Sequence, residues 1–203
     1  MNIYKVLYHS SIKIDNIYID PYNIINEEKA DYIFITHSHY DHLSLDDIKK
    51  LLKKETIIIC TKDSYESLRN NLIENEIIIV EPNNDYKVNN ISFKTVNSYN
   101  KNKTFHPKDN NWVGYIINYN NVNYYIAGDT DYIEELNNIN CDIAFIPIGG
   151  TYTMNYEEAA SLVNNIKPKK VIPTHYNAIV GSKLDEENFI NLVNKDIDIE
   201  IHL

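Results

Sequence analysis

Residues 37–42, HSHYDH, place three histidines and an aspartate directly after the apolar run 32–35. Such a run is typical of a buried strand, so the cluster is expected in the loop where that strand ends. On a tight loop, His37 and His39 can turn their rings toward one point, and Asp41 and His42 can face a neighbouring point. Imidazole and carboxylate together suit zinc, iron or manganese, and two such ions about 3.5–4 Å apart are the target that this arrangement serves. A solvated polar loop is the alternative, but four such side chains behind a buried strand favour a metal site.

Short strand-like and helical runs alternate along the rest of the chain, which predicts an α/β fold. Strands are predicted over residues 3–8, 11–14, 17–20, 32–36, 56–60, 77–80, 91–96, 113–119, 122–126, 143–148, 170–173 and 197–201. Helices are predicted over residues 45–54, 64–71, 131–138, 156–165 and 185–193. Ser44 is expected to cap the first helix, and Asn155 with Glu158 predicts a capping box on the fourth. A chain of 203 residues is expected to form a single domain over residues 1–203.

Composition narrows the classes of function. The formal net charge of −10 argues against a broad phosphate-binding surface, because nucleic-acid binding usually shows a basic footprint. The N-terminal stretch MNIYKVLYHSSIKI alternates polar and apolar residues, so neither a signal peptide nor a membrane span is expected. The two cysteines, Cys60 and Cys141, lie beside strand-like runs and are expected to be buried thiols. A cytoplasmic location is the default expectation.

Four motifs occur along the chain: THSHYDHLS (36–44), FHPKDNNWVGY (105–115), IAGDTD (126–131) and VIPTHYN (171–177). Together they resemble motifs of the metallo-β-lactamase superfamily. THSHYDHLS resembles its His-x-His-x-Asp-His signature, and IAGDTD resembles its strand-end Gly-Asp. VIPTHYN (171–177) resembles the motif that carries its last histidine, and FHPKDNNWVGY (105–115) lies where the family keeps a histidine in a long loop. The segments YHSSIKI and IYIDPY near the start, with IAFIPIGGTYTM later, are similar to the small metal-dependent hydrolases that include the ascorbate-phosphate lactonase-like proteins.

This resemblance implies a four-layer αββα sandwich and a site for two divalent transition-metal ions. The expected metal is zinc, with manganese and iron as alternatives. The implied ligands are His37, His39 and His106 for the first ion, Asp41, His42 and His175 for the second, and Asp129 as the bridge between them. Of these seven residues, His106 has the weakest support, because a His-Pro in a loop is often only a loop residue.

Further residues are expected near the site. His9 is either a group in or beside the site or a satisfied core histidine. Asp20 either accepts the ring N–H of a ligating histidine or belongs to an ordinary Asp-Pro turn. His202, next to the C-terminus, is expected to be solvated. The proposed substrate contacts follow predicted strands: the backbone N–H groups of Gly149 and Gly150 and the side chains of Thr151, Tyr176 and Asn177.

The implied activity is hydrolysis of a small ester, lactone or phosphodiester by a metal-bound hydroxide, with Asp41 orienting the nucleophile. The expected partner is therefore a small-molecule substrate. A nucleic-acid phosphodiesterase of the same superfamily is the alternative, although the acidic balance argues against it. An iron oxidoreductase is disfavoured because those members typically carry glutamate at the position of His39. The substrate and the oligomeric state do not follow from the sequence.

Overall fold

The computed structural model describes residues 3–71 and 73–203, and these fall into two compact units. The first unit extends to Glu81, and the second runs from Pro82 to His202. Within the described residues each unit contains one β-sheet and two α-helices, so the predicted α/β class is confirmed. The single domain over residues 1–203 stays a prediction, and residues 1, 2 and 72 of that range lie outside the described residues. No helix in the described part of the chain is long and apolar enough to cross a lipid bilayer.

The first unit is built on a six-stranded sheet. Its elements are β1 (Tyr4–Tyr8), β2 (Ser11–Ile14), β3 (Ile17–Ile19), β4 (Tyr32–Phe34), α1 (Leu45–Leu51), β5 (Ile57–Cys60), α2 (Lys62–Asn70) and β6 (Glu76–Ile79). The strands lie side by side in chain order, antiparallel from β1 to β3 and parallel from β3 to β6. Strands β1, β3 and β4 therefore run in the same direction. Their carboxyl ends open at one edge of the sheet, where the chain continues into His9, Asp20 and the histidine motif.

An apolar core beneath the helices holds β4 in place. Ile33 of β4 and Ile58 of β5 are fully buried together with Ile48 of α1 and Leu68 of α2. Burying one such side chain contributes about 1.5–3 kcal/mol. The core thus fixes the strand from which the histidine motif emerges.

The second unit is built on a seven-stranded sheet. Its elements are β7 (Asp85–Val88), β8 (Ile91–Asn97), β9 (Val113–Tyr119), β10 (Val122–Ile126), β11 (Ile143–Pro147), α3 (Tyr156–Ile166), β12 (Lys170–Thr174), α4 (Lys183–Leu192) and β13 (Asp198–Ile199), with 3-10 turns at Lys108–Asn110 and Glu134–Asn138. The order is β13-β12-β11-β10-β9-β8-β7, parallel from β13 to β10 and antiparallel from β10 to β7. Strands β8, β10, β11 and β12 consequently share one direction, and the segments that follow them meet at one edge.

The predicted boundaries of most elements are confirmed to within two residues at each end. The predicted N-cap is confirmed because the Ser44 hydroxyl accepts the Asp47 N–H, and the capping box of Asn155 and Glu158 is also present. Both cysteines are buried and free, and burial raises the pKa of each thiol to about 12. One strand, β7, was not predicted.

Three departures from the predicted boundaries have local causes. Strand β4 ends at Phe34 and not at residue 36, because the Thr36 N–H donates to the Asp20 carboxylate. Helix α1 ends three residues early, where the carbonyl of Leu51 accepts the N–H of Ala30. The predicted helix over residues 131–138 is only the 3-10 turn Glu134–Asn138, since the Asp131 side chain accepts the Lys101 N–H and Ile133 is extended.

Asp47, in the first turn of α1, ties the helix to the loop that follows β3. Its carboxylate accepts the backbone N–H of Asn23 at 2.8 Å and of Ile24 at 3.0 Å. It also accepts from the Ser44 hydroxyl at 2.7 Å and the Lys50 ammonium at 2.8 Å. Burial acts to raise the pKa of Asp47, but these hydrogen bonds outweigh it and hold the pKa below its ordinary value.

Replacing Asp47 by alanine should lower the free energy of unfolding by about 2–4 kcal/mol, because the buried N–H of Ile24 and the partly buried N–H of Asn23 lose a charged acceptor. The pKa is lowered in the folded state, so the stabilisation is complete above the ordinary carboxyl pKa and is lost as the pH falls through the lowered value. Denaturant unfolding of both proteins across acidic pH measures this. The exposed neighbour supplies a control, since Asp46→Ala should change stability by no more than about 0.5 kcal/mol. Equal effects of the two variants would contradict the assignment.

Candidate metal centre

The histidine motif packs its imidazoles against one another immediately after β4. The Nε2 atom of His37 lies 3.2 Å from Nδ1 of His39, and the ring centroids of His37 and His42 are 4.0 Å apart. His37 and His42 are buried, whereas His39 is half-buried. The His42 N–H donates to the carbonyl of His39 at 3.0 Å, which closes the turn between them. The first unit therefore brings the three histidines of the motif together.

Asp20, at the carboxyl end of β3, anchors this loop from beneath. Its Oδ1 accepts the Thr36 N–H at 2.8 Å, and its Oδ2 accepts the Thr36 hydroxyl at 2.6 Å and lies 2.7 Å from Nδ1 of His42. Burial raises the pKa of Asp20, while the contacts with His42 and Thr36 act to lower it. With the carboxylate ionised, Nδ1 of His42 carries a proton and Nε2 offers a lone pair.

One carboxylate oxygen of Asp41 lies close to two imidazole rings. Its Oδ2 lies 3.6 Å from Nε2 of His42 and 3.4 Å from Nε2 of His9. His9 is fully buried and has a left-handed backbone, with φ of 53°. The first unit thus places His9 beside Asp41, where it can orient the carboxylate.

Asp129 is the centre of the corresponding cluster in the second unit. It follows Gly128, whose φ of 64° turns the chain sharply after β10. Its Oδ2 lies 3.0 Å from Nε2 of His175 and 3.3 Å from Nε2 of His106. All three side chains are buried. The second unit therefore brings together the three candidate ligands that the sequence placed in it.

The donor chemistry of both clusters fits transition-metal ions. Each cluster combines imidazole nitrogens with a carboxylate, and these are ligand types that zinc, iron and manganese accept. Burying a carboxylate and several imidazoles costs free energy unless charge is compensated, and a cation on the Nε2 lone pairs would compensate it. Sites of this kind also need partners on the other ring nitrogen, such as Asp20 on His42.

His175 lies at the end of β12 with a left-handed backbone, φ 57°, and the neighbouring loop leaves it little room. A Cβ atom on Gly149 would come within 2.2 Å of the His175 carbonyl oxygen. Only glycine therefore fits at position 149, and the close approach fixes the main chain of His175.

His106 lies in the long loop between β8 and β9, and it is buried although the loop around it is largely exposed. Its ring meets Trp112 edge to face with centroids 5.5 Å apart, and its Nδ1 lies 3.0 Å from Oδ1 of Asn100. The start of the loop is tied to the Asp129 segment, since the Ser98 hydroxyl donates to the Asp129 carbonyl at 3.0 Å. The fold thus carries a loop histidine to a strand-end carboxylate.

The residues proposed to contact the substrate differ in exposure and in their hydrogen bonds. Thr151 and Asn177 are exposed. The Gly150 N–H donates to the carbonyl of Met154 at 3.0 Å, so it is already engaged within its own loop. The Tyr176 side chain is buried, and its hydroxyl donates to Glu186 of α4 at 2.5 Å. Only Thr151 and Asn177 therefore present side chains to solvent.

Thr36 and Asn100 each contact a ring nitrogen of a candidate ligand, and neither residue was foreseen. Thr36 lies against Asp20 and against Nδ1 of His37, at 2.9 Å, and its place just before the motif is the only sequence signal for it. Asn100 gave no signal beyond its location in a long polar loop. His202 differs from the expectation of a solvated residue, since it is half-buried and its Nε2 lies 2.8 Å from Glu200.

A cavity of about 570 Å³ lies elsewhere in the second unit. It is lined by Tyr86, Lys94, Asn118 and Asn123, among others, and by none of the candidate ligands. Asn123 lies at the start of β10, whereas Asp129 follows the end of that strand. The cavity is therefore separate from the cluster around Asp129.

Comparison with known proteins gives consistent matches over most of the chain. A family model described as "Beta-lactamase superfamily domain" matches residues 7–175. A "UPF0173 metal-dependent hydrolase" of Thermococcus onnurineus is 31% identical, and the alignment covers 97% of this chain and 94% of that protein.

Solved structures agree with these matches. The crystal structure of a metal-dependent hydrolase from Parabacteroides distasonis superposes with a TM-score of 0.83 at 28% identity, covering 97% of this chain and 90% of that one. A metallo-β-lactamase fold protein from Bacillus subtilis superposes with a TM-score of 0.74 at 11% identity, covering 98% and 94%. At that identity the likeness concerns the fold alone, and it confirms the fold type expected from the sequence.

Replacing Gly149 by alanine should displace His175, because the new methyl group meets a backbone oxygen that cannot rotate away. Overpacking of this kind costs about 1–3 kcal/mol. Thermal melting and zinc titration of the variant should show lower stability and weaker zinc binding. Thr151→Ala, in the same exposed loop, should leave both unchanged. Wild-type zinc affinity in Gly149→Ala would show that the close approach does not position His175.

Proposed function

Because the chain belongs to the metal-dependent hydrolases of the β-lactamase superfamily, we propose that its reaction centre holds two divalent transition-metal ions. The proposed ligands are His37, His39 and His106 for one ion, Asp41, His42 and His175 for the other, and Asp129 as the bridge. The observation that supports this most directly is the convergence of His106 and His175 on a single oxygen of Asp129. Zinc suits a set so rich in imidazole, with manganese and iron as alternatives.

The proposed reaction is hydrolysis of a small ester, lactone or phosphodiester. When bound, the two cations would lower the pKa of a water molecule and stabilise the negative charge that develops on the substrate. Asp41 would orient the attacking water and take up its proton at Oδ2, the oxygen that His9 and His42 face. Thr151 and Asn177, whose side chains are exposed, remain the proposed polar contacts for the substrate.

The proposed substrate is a small molecule, and the proposed location is the cytoplasm. The net charge of −10 disfavours a polyanion such as RNA, because its phosphates would meet an acidic protein. A nuclease remains the alternative within the superfamily. Preference for long polynucleotides over small esters, with steep loss at higher salt, would favour that alternative.

Aromatic side chains next to candidate ligands support an apolar or planar group in the substrate. Tyr40, between His39 and Asp41, is 65% exposed, and its ring packs at 6.0 Å on Tyr22, which in turn packs at 5.9 Å on Tyr8. In the second unit Phe105, directly before His106, is 46% exposed. Exposed rings beside ligands are suited to contact a substrate group of similar character.

The proposed ligand set predicts how much metal the protein binds. Purified protein should bind close to two equivalents of zinc, measured by titration and elemental analysis. Replacing Asp129 by alanine should lower this occupancy and reduce turnover by orders of magnitude, because the bridging carboxylate is lost. Asp109→Ala, on the exposed part of the loop before β9, should keep the wild-type occupancy. Unchanged occupancy in Asp129→Ala would refute the bridging role.

The proposed contact between Tyr40 and the substrate can be tested by substrate preference. For a phenyl and a methyl ester of the same acid, Tyr40→Ala should reduce the preference for the phenyl ester by about 2–10-fold in kcat/KM, the value of one aromatic contact. The matched control is Ile79→Ala, which removes an exposed apolar side chain from the edge strand β6. An unchanged preference in Tyr40→Ala would exclude this ring from substrate binding.

A further inference from the structure

The loop that carries His106 is closed by a reciprocal pair of contacts with Asn100. The Asn100 N–H donates to the carbonyl of His106 at 2.8 Å. In return, Oδ1 of Asn100 lies 3.1 Å from the backbone N of His106 and 3.0 Å from its ring Nδ1. Both side chains are buried. One amide oxygen thus contacts both the main chain and the ring of a candidate ligand.

The orientation of this amide is fixed by chemistry on both sides. The backbone N–H of His106 can only donate, so the atom that faces it must be the amide oxygen. On the other side, the amide nitrogen lies 3.0 Å from Oδ1 of Asp131 and 2.8 Å from the carbonyl of Tyr152. A carbonyl oxygen can only accept a hydrogen bond, and the same is true of an ionised carboxylate. The reversed amide would place an oxygen against two acceptors.

The carboxyl group of Asp131 also contacts two other donors. The Lys103 ammonium lies 2.6 Å from its Oδ1, and the Lys101 N–H lies 2.8 Å from its Oδ2. The same ammonium donates to the carbonyl of Thr153 at 2.8 Å. The acceptor that orients Asn100 is thus part of a clamp on the loop that contains His106.

From this geometry we propose that Asn100 is a positioning residue that selects the tautomer of His106. An oxygen next to Nδ1 requires that Nδ1 carry a proton, so in the neutral ring Nε2 keeps its lone pair. That Nε2 lies 3.3 Å from Oδ2 of Asp129. The selected tautomer therefore directs a lone pair to the place where a cation is proposed.

The expected effect on metal affinity rests on the proposed metal site, whereas the selection of the His106 tautomer does not. The tautomer can be measured in metal-free protein, whereas the role of the ion is measured by adding zinc. Partners on the outer nitrogen of a ligating histidine are typically worth 10–100-fold in metal affinity. Loss of the Asn100 oxygen should have an effect in that range.

The test compares three variants by long-range ¹H–¹⁵N NMR of the histidine rings in metal-free protein and by zinc titration. Asn100→Leu keeps the branched shape but removes the acceptor, so His106 should lose its single Nδ1–H tautomer and zinc affinity should fall about 10–100-fold. Asn100→Asp keeps an oxygen next to Nδ1 and should retain the tautomer, but its second oxygen faces Asp131 and the Tyr152 carbonyl and should lower the melting temperature. Asn102→Ala, at an exposed position of the same loop, should match wild type in both measurements.

The outcomes separate this inference from the proposed function. Folded Asn100→Leu with the wild-type tautomer would overturn the role of Asn100, as would wild-type zinc affinity in that variant. If Asn100→Leu does not fold, the wild-type protein still decides, because a His106 ring without a proton on Nδ1 would contradict the acceptor argument. Wild-type protein that binds no transition metal but shows the single tautomer would overturn the proposed function and leave the tautomer selection standing.

Discussion

Strand direction is the constraint on which both candidate clusters depend. In the first unit β1, β3 and β4 run the same way, and in the second unit β8, β10 and β12 do so. Every candidate ligand except the loop histidine His106 therefore follows the carboxyl end of a strand whose path is fixed by a ladder of hydrogen bonds. A site built at strand ends gains precision, because the ligands inherit the rigidity of the sheet while the loops remain variable.

This arrangement requires backbone conformations that cost free energy. Among the described residues, the non-glycine positions with positive φ are asparagines and aspartates except for His9, Lys167 and His175. Lys167 caps α3, so its conformation has an ordinary explanation. His9 and His175 do not cap a helix, and a left-handed residue costs about 1–2 kcal/mol. Left-handed backbone held at buried histidines is typical of sites where geometry is selected for chemistry.

The candidate ligands were easier to predict from the sequence than the residues that hold them in place. The motif at residues 37–42 stands out because it follows an apolar run, whereas Asp129 and His175 were expected because IAGDTD and VIPTHYN resemble family motifs. Strand β7 was missed because it is an edge strand, half exposed and polar, so its pattern resembles a loop. Asn100 could not be singled out for a different reason. Its role depends on which groups face each end of one amide, and spacing along the chain carries no such information.

His42 and His106 differ in the side chain that contacts their Nδ1 atoms. Asp20 brings a carboxylate to Nδ1 of His42, whereas Asn100 brings a neutral amide to Nδ1 of His106. Both partners fix the tautomer, but only an ionised carboxylate also raises the basicity of the imidazole. A neutral amide suits this position, because its nitrogen donates both to Asp131 and to the Tyr152 carbonyl, whereas a carboxylate would set an oxygen against these two acceptors. The choice of amide over carboxylate at position 100 thus follows from the acceptors that already surround it.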